Sequence, residues 1–198
     1  ALTLVACGRE GNAFVQKTCD EAIGAQGIMS LIYGLHLISN GRESALYTRE
    51  ELTSALTAHQ LADGGWALRG ETGDVDVTAM ALQALAGCAG AEESVEKGLS
   101  FLSARQDGDG GYTGFGDPNA ESTAQVIIAL TALSVDPLSD ARFVKNGRSA
   151  VDALAGYRLT DGSFAHVSGG ASNASATTQA LMALTALYSY QAGGRAFY

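Results

Sequence analysis

Gln106-Asp107-Gly108-Asp109-Gly110-Gly111-Tyr112 is the stretch that decides the fold, because it occurs three times. Its counterparts are Gln60-Leu61-Ala62-Asp63-Gly64-Gly65-Trp66 and Arg158-Leu159-Thr160-Asp161-Gly162-Ser163-Phe164. Each copy sets an acidic residue and a glycine ahead of an aromatic. The spacing between copies is about 50 residues, the size of one helix-turn-helix unit and too long for a strand pair. The chain therefore reads as a helical array.

The segments on either side of the turns differ in kind. Ahead of the first turn, Thr48-Arg49-Glu50-Glu51 is a capping box, in which the threonine hydroxyl accepts a backbone N–H and the glutamate reaches back. Leu52, Leu56 and the stem of His59 follow on one face; Val95, Leu99 and Leu102 repeat the stripe in the second unit, and Val144, Val151 and Leu154 in the third. Such one-sided helices belong on the outside. Behind the turns come Thr78-Ala79-Met80-Ala81-Leu82-Gln83-Ala84-Leu85, Thr123-Ala124-Gln125-Val126-Ile127-Ile128-Ala129-Leu130 and Thr177-Thr178-Gln179-Ala180-Leu181-Met182-Ala183-Leu184, apolar nearly all round. These are expected to be inner helices, with alanine on the close-packed side. Residues 27–35 form a fourth after a degenerate turn. The expected architecture is all-α, an α/α toroid with outer amphipathic and inner buried helices.

The turn region also resembles a known family. Lys97-Gly98-Leu99-Ser100-Phe101-Leu102-Ser103-Ala104-Arg105-Gln106, running on to Gly110-Gly111-Tyr112, resembles the QW repeat of squalene and oxidosqualene cyclases with Tyr in place of Trp. The resemblance extends to the terpenoid cyclase and prenyltransferase toroids. It implies that Gln60, Gly64 and Trp66, then Gln106, Gly110 and Tyr112, then Gly162 and Phe164, act as structural clamps, the glutamine tying a helix end to a turn beneath the aromatic. As a whole the chain looks closest to toroid modules of bacterial cell-surface proteins similar to transcobalamin and intrinsic factor, on the residues of 60–85 and 121–137. That likeness implies a non-catalytic, extracellular or cell-surface module binding a small ligand or surface partner. About four hairpins fit in the 198 residues, an incomplete ring. Ala1-Leu2-Thr3 repeats Ala129-Leu130-Thr131 and Ala183-Leu184-Thr185, so residues 1–198 are expected to be a single toroid domain cut from a longer protein, able to form a homodimer through its open edge.

Bulk properties narrow the partners. A formal net charge of −9 with no Lys/Arg cluster gives nothing to track a phosphate backbone or an anionic lipid surface. No stretch reaches the roughly 18 continuous apolar residues of a membrane span. Cys7, Cys19 and Cys88 show neither a disulfide framework nor zinc spacing. Leu4-Val5-Ala6-Cys7 has the order of a lipoprotein cleavage site but lacks the basic start and apolar stretch before it.

The same residues bear on catalysis. Class II cyclases use an Asp-x-Asp-Asp motif whose middle acid protonates an alkene or epoxide. Asp74-Val75-Asp76-Val77 stands at that place with its last acid replaced. Asp76 as general acid is the alternative function, with Asp74 as its weaker companion. Against it, Asp76 aligns with Glu121 and Ser175, so helix capping would account for all three repeats. A prenyltransferase zinc site needs Asp-x-Cys with a distant His, and no cysteine has that context. Cys7-Gly8-Arg9-Glu10 lacks the glutamine of a thioester. His36, His59 and His166 are isolated, and His166 beside Ser168 has no acid partner in sequence. No metal and no cofactor are expected. The loops 70–76, 113–119 and 166–173 are polar and glycine-rich, and they supply the candidate binding residues Asp74, Asp76, Asn119, Glu121, His166 and Asn173.

Overall fold

The computed structural model describes residues 1–9 and 11–194. Among them run nine helices and two short hairpins: α1 (Leu2–Ala6), α2 (Ala13–Glu21), α3 (Ile28–Ser39), α4 (Arg49–Ala58), α5 (Val75–Leu85), α6 (Glu92–Arg105), β1 (Thr113–Gly114), β2 (Asp117–Pro118), α7 (Ala120–Ala132), β3 (Val144–Lys145), β4 (Arg148–Ser149), α8 (Ala150–Ala155) and α9 (Ala174–Gln191). The even-numbered helices form the outer layer and α3, α5, α7 and α9 the inner one, giving four outer–inner hairpins. Inner helices pack on one another in sequence, α3 on α5, α5 on α7 and α7 on α9. Each of α3, α5 and α7 also packs against the outer helix that follows it.

Local chemistry starts the outer helices where the sequence places them. The Glu51 N–H donates to Thr48 Oγ1 at 3.2 Å and the Thr48 N–H to Glu51 Oε2 at 2.9 Å, so the capping box is complete. Leu52 and Leu56 are fully buried behind it, as are Leu99 and Leu102 in α6. The third outer helix departs from expectation. Val144 belongs to the β3–β4 hairpin rather than to α8, which starts only at Ala150 behind a second capping box of Ser149 and Asp152. The reason is Asn146-Gly147, both with positive φ (51° and 77°), the pair that closes a two-residue hairpin.

The inner helices are buried except along one line each. On α5 only Asp76 and Met80 keep more than marginal accessible surface, and on α7 only Glu121, Gln125 and the terminal Ala132 do. Spacing of three and four residues puts these on a single helix face. On α3 the matching line is Met29, Ser30 and Tyr33, and on α9 it includes Gln179 and Met182. Of these residues Tyr33 and Met182 line a hollow between α3 and α9, while Met29 and Ser30 face a groove between α2 and α3.

At α9 the array stops being covered among the described residues. Leu82 and Ile127 occupy equivalent places in α5 and α7 and are 0% exposed, whereas their counterpart Leu181 is 56% exposed. Leu85 and Leu130 are likewise buried, and Leu184 is not. No outer helix follows α9 within the described residues, and its whole length carries no charged side chain.

Candidate functional site

The repeated turns are built as clamps. Gln60 Nε2 donates to the Gly64 carbonyl and to the Ser94 carbonyl, both at 2.8 Å, and Gln106 Nε2 donates to the Gly110 and Phe143 carbonyls at 2.9 Å. Each glutamine thus closes its own turn and fastens it to the next unit. Trp66 and Tyr112 are fully buried and Phe164 nearly so. Trp66 also donates Nε1–H to the Leu56 carbonyl at 2.8 Å. Burying such an aromatic contributes about 3–5 kcal/mol by the cost of truncating it, so these residues hold the fold. A further member went unassigned in sequence: the Thr78, Thr123 and Thr177 hydroxyls accept the backbone N–H of Trp66, Tyr112 and Phe164, at 2.8, 3.2 and 2.9 Å. Their recurrence at the start of each inner helix was the available signal.

Three of the six candidate binding residues are helix caps. Asp74, Asn119 and Asn173 accept the backbone N–H of Val77, Ser122 and Ala176, at 2.9, 2.8 and 3.0 Å. Capping therefore lies two residues upstream of the position inferred from sequence, and Asp76, Glu121 and Ser175 are released from it. The error has a simple cause. Asp74 and Asp76 are both acidic residues in the first turn region, and only the backbone angles tell which one precedes the helix.

Asp76 is left in an unusual setting. Its Oδ1 is sealed from solvent without a hydrogen-bond partner. Burial raises its pKa, and the charges of Asp74 and Glu121 raise it further; the neighbouring Ser122 hydroxyl, itself sealed and short of a well-formed bond, offsets part of the rise. The site is tight. A Cβ at Gly114 would stand 3.2 Å from both Asp76 Oδ2 and Asn119 Nδ2, so the hairpin 113–118 can close over the carboxyl only with glycine there. Across the same end His166 Nδ1 lies 2.8 Å from Glu121 Oε2, an acid partner for His166 that the sequence did not reveal. The polar end of the inner helices thus joins Asp76, Ser122, Glu121 and His166.

The hollow opens at the other end. A cavity of about 450 Å³ lies between α1, α3 and α9, lined by Leu2, Val5, Ala6, Tyr33 and Met182 with Thr3 and Asn40. None of the lining residues is charged. Its size falls within the range of small-molecule pockets, and its apolar walls with two polar groups match their usual make-up. Smaller grooves of about 360 and 300 Å³ lie on the outer surface beside Asp63 and Lys97 and between α2 and α3. Among the described residues no group of three His, Cys, Asp or Glu side chains converges as a metal site would require. Cys7, Cys19 and Cys88 are unpaired thiols, and Glu10 of the Cys7–Glu10 stretch lies outside the described residues.

No protein-family model matches the chain, and no curated protein does. Among solved structures it is similar to protein geranylgeranyltransferase-I of Candida albicans complexed with GGPP, with a TM-score of 0.58 and 15% identity, over 83% of this chain and 50% of that one. The chain thus spans half the length of the structure it matches. The likeness shows the fold. The likeness to that enzyme lends no support to the transcobalamin-like part of the sequence resemblance. What the sequence pattern and the structural match establish together is an all-α array with the α/α-toroid fold of the prenyltransferases.

Proposed function

We propose that this chain is a ligand-binding toroid module whose central hollow takes a small molecule with an apolar, isoprenoid-like body. The observation that carries the reading is the uncharged, largely apolar cavity of about 450 Å³ on the concave side. The matched structure holds GGPP, and that similarity favours a prenyl-type ligand over a surface partner. The lining offers no cation for a diphosphate, and the chain carries a formal net charge of −9, so an uncharged isoprenoid fits better than a phosphorylated one. Placement on a cell surface, within a longer protein, belongs to this proposal as its setting. Calorimetric titration with geranylgeraniol tests it, with cobalamin followed by absorbance as the arm for a corrinoid ligand. Saturable binding of the alcohol is expected; binding of cobalamin alone would replace the reading.

A second reading is favoured by one residue. Asp76, buried with a raised pKa and free of capping, has the character of a general acid. As an enzyme the chain would turn over a polyprenyl substrate, and Asp76→Asn would abolish that turnover. A preparation that binds the alcohol and consumes no polyprenyl substrate would leave the module non-catalytic.

A further inference from the structure

The inner helices carry a row of side-chain amides. Gln83 Nε2 donates to Gln125 Oε1 at 2.9 Å and to the Gln125 carbonyl at 3.1 Å. Gln125 Nε2 in turn donates to Gln179 Oε1 at 3.0 Å. One glutamine from each of three successive inner helices is thereby linked head to tail, all amides pointing the same way.

The row is not exhausted by its own bonds. A primary amide offers two N–H donors and two acceptor lone pairs. Gln125 uses one donor and one acceptor within the row, leaving one of each. The Gln83 Oε1 and the second N–H of Gln179 are also left, since Gln179 otherwise makes only a long 3.4 Å contact to Ser175 Oγ. Gln83 Oε1 accepts no bond and is not among the sealed atoms, and Gln125 and Gln179 are only partly buried. Gln125 lies one turn from Glu121, and Gln179 lies one turn before Met182, which lines the cavity. Both glutamines keep accessible surface. The concave wall is therefore layered, with acids at the helix starts, neutral amides next and an apolar cavity beyond.

Resting on the ligand reading above, we propose that the Gln83–Gln125–Gln179 row is the specificity element of the hollow, hydrogen-bonding an uncharged hydroxyl or amide head group of an otherwise apolar ligand. Each amide is already oriented by its neighbour, so little rotamer freedom is lost when a head group docks. A charged head group would give up its hydration and meet no counter-ion in this layer.

The experiment titrates the unmodified chain, Gln125→Leu and Gln179→Leu with geranylgeraniol and with the matching hydrocarbon that lacks the hydroxyl. The unmodified chain is expected to prefer the alcohol by about tenfold, the worth of one net hydrogen bond. Either substitution should erase that preference while leaving the hydrocarbon affinity within about twofold. Gln179, at the partly exposed end of the row, gives a readable variant if the central one does not fold. A preference that survives both substitutions, or an equal loss for both ligands, overturns the role of the row alone. Failure of both ligands to bind the unmodified chain would instead remove the hollow as a ligand site, and the row's role with it.

Discussion

Substituting Gly110 and Gly162 by alanine separates backbone conformation from close packing, because the two glycines differ in only one of these. Their φ values are 89° and 90°, in the left-handed region where an L side chain costs about 1–2 kcal/mol. Gly162 has nothing nearer to a new Cβ than the Arg158 guanidinium at 4.0 Å. Gly110 would drive the same Cβ against the Ser149 carbonyl oxygen and to 2.8 Å from the Arg148 carbonyl oxygen, both backbone atoms leading into α8. Backbone cannot rotate away, so an overpacking cost of about 1–3 kcal/mol adds to the conformational one. Gly162→Ala should therefore destabilise by about 1–2 kcal/mol and Gly110→Ala by about 2–5 kcal/mol. Gly64→Ala, with φ 87° and the Lys97 carbonyl oxygen at 2.7 Å, belongs between them or beside Gly110. Equilibrium urea unfolding with a common slope supplies the three values. If Gly162→Ala proves as damaging as Gly110→Ala, the turn glycines are required for conformation only, and the idea that each turn is seated on the next outer helix fails.

The Tyr112 hydroxyl is buried with no hydrogen-bond partner, so Tyr112→Phe should be neutral or stabilise the chain by up to about 1 kcal/mol; a clear loss in thermal midpoint would show that the hydroxyl has a partner. His36 is held neutral by burial, its pKa lowered to about 4, so below its ordinary value the unfolded chain binds a proton that the folded one refuses. Stability contributed by His36 is thus complete above pH 6.5 and is lost towards pH 4, by about 3 kcal/mol at most, and urea titrations of His36→Phe should lack that part of the pH slope. Asp76 works in the opposite sense. Its raised pKa makes the folded state favour the protonated carboxyl, a contribution present at low pH and lost as pH rises through the folded value, so Asp76→Asn should stabilise the chain at neutral pH and not in acid. A uniform effect across pH would refute burial as the cause.

The period of the turns, the alternation of outer and inner helices and the clamp residues were legible because each rests on spacing and residue type. Gln60 and Gln106 each bond two carbonyls, and Trp66 and Tyr112 are buried, as a structural clamp demands. The cap positions were not legible. Asp74 and Asp76 are chemically equivalent in sequence, and two residues separate a cap from a buried acid. Val144 was misplaced because an apolar stripe counts residues without asking whether the chain reverses between them, although Asn146-Gly147 carried that information. The His166–Glu121 pair joins a loop to the first turn of α7 across 45 residues, and the amide row joins helices whose glutamines are out of phase. Gln125 and Gln179 both stand two positions after a clamp threonine, while Gln83 stands one turn further along its helix. Only packing in three dimensions brings such groups into one line.

The uncovered flank of α9 has a consequence for how the molecule comes apart. In a linear array the stability of a unit is its own plus that of the interfaces it shares. The unit of α6 and α7 has a neighbour on both sides, whereas the unit of α8 and α9 has one within the described residues. Amide protons of α9 should therefore exchange with solvent sooner than those of α7, although both helices have the same inner position and closely matched sequences. Opening from that flank would travel inward one hairpin at a time.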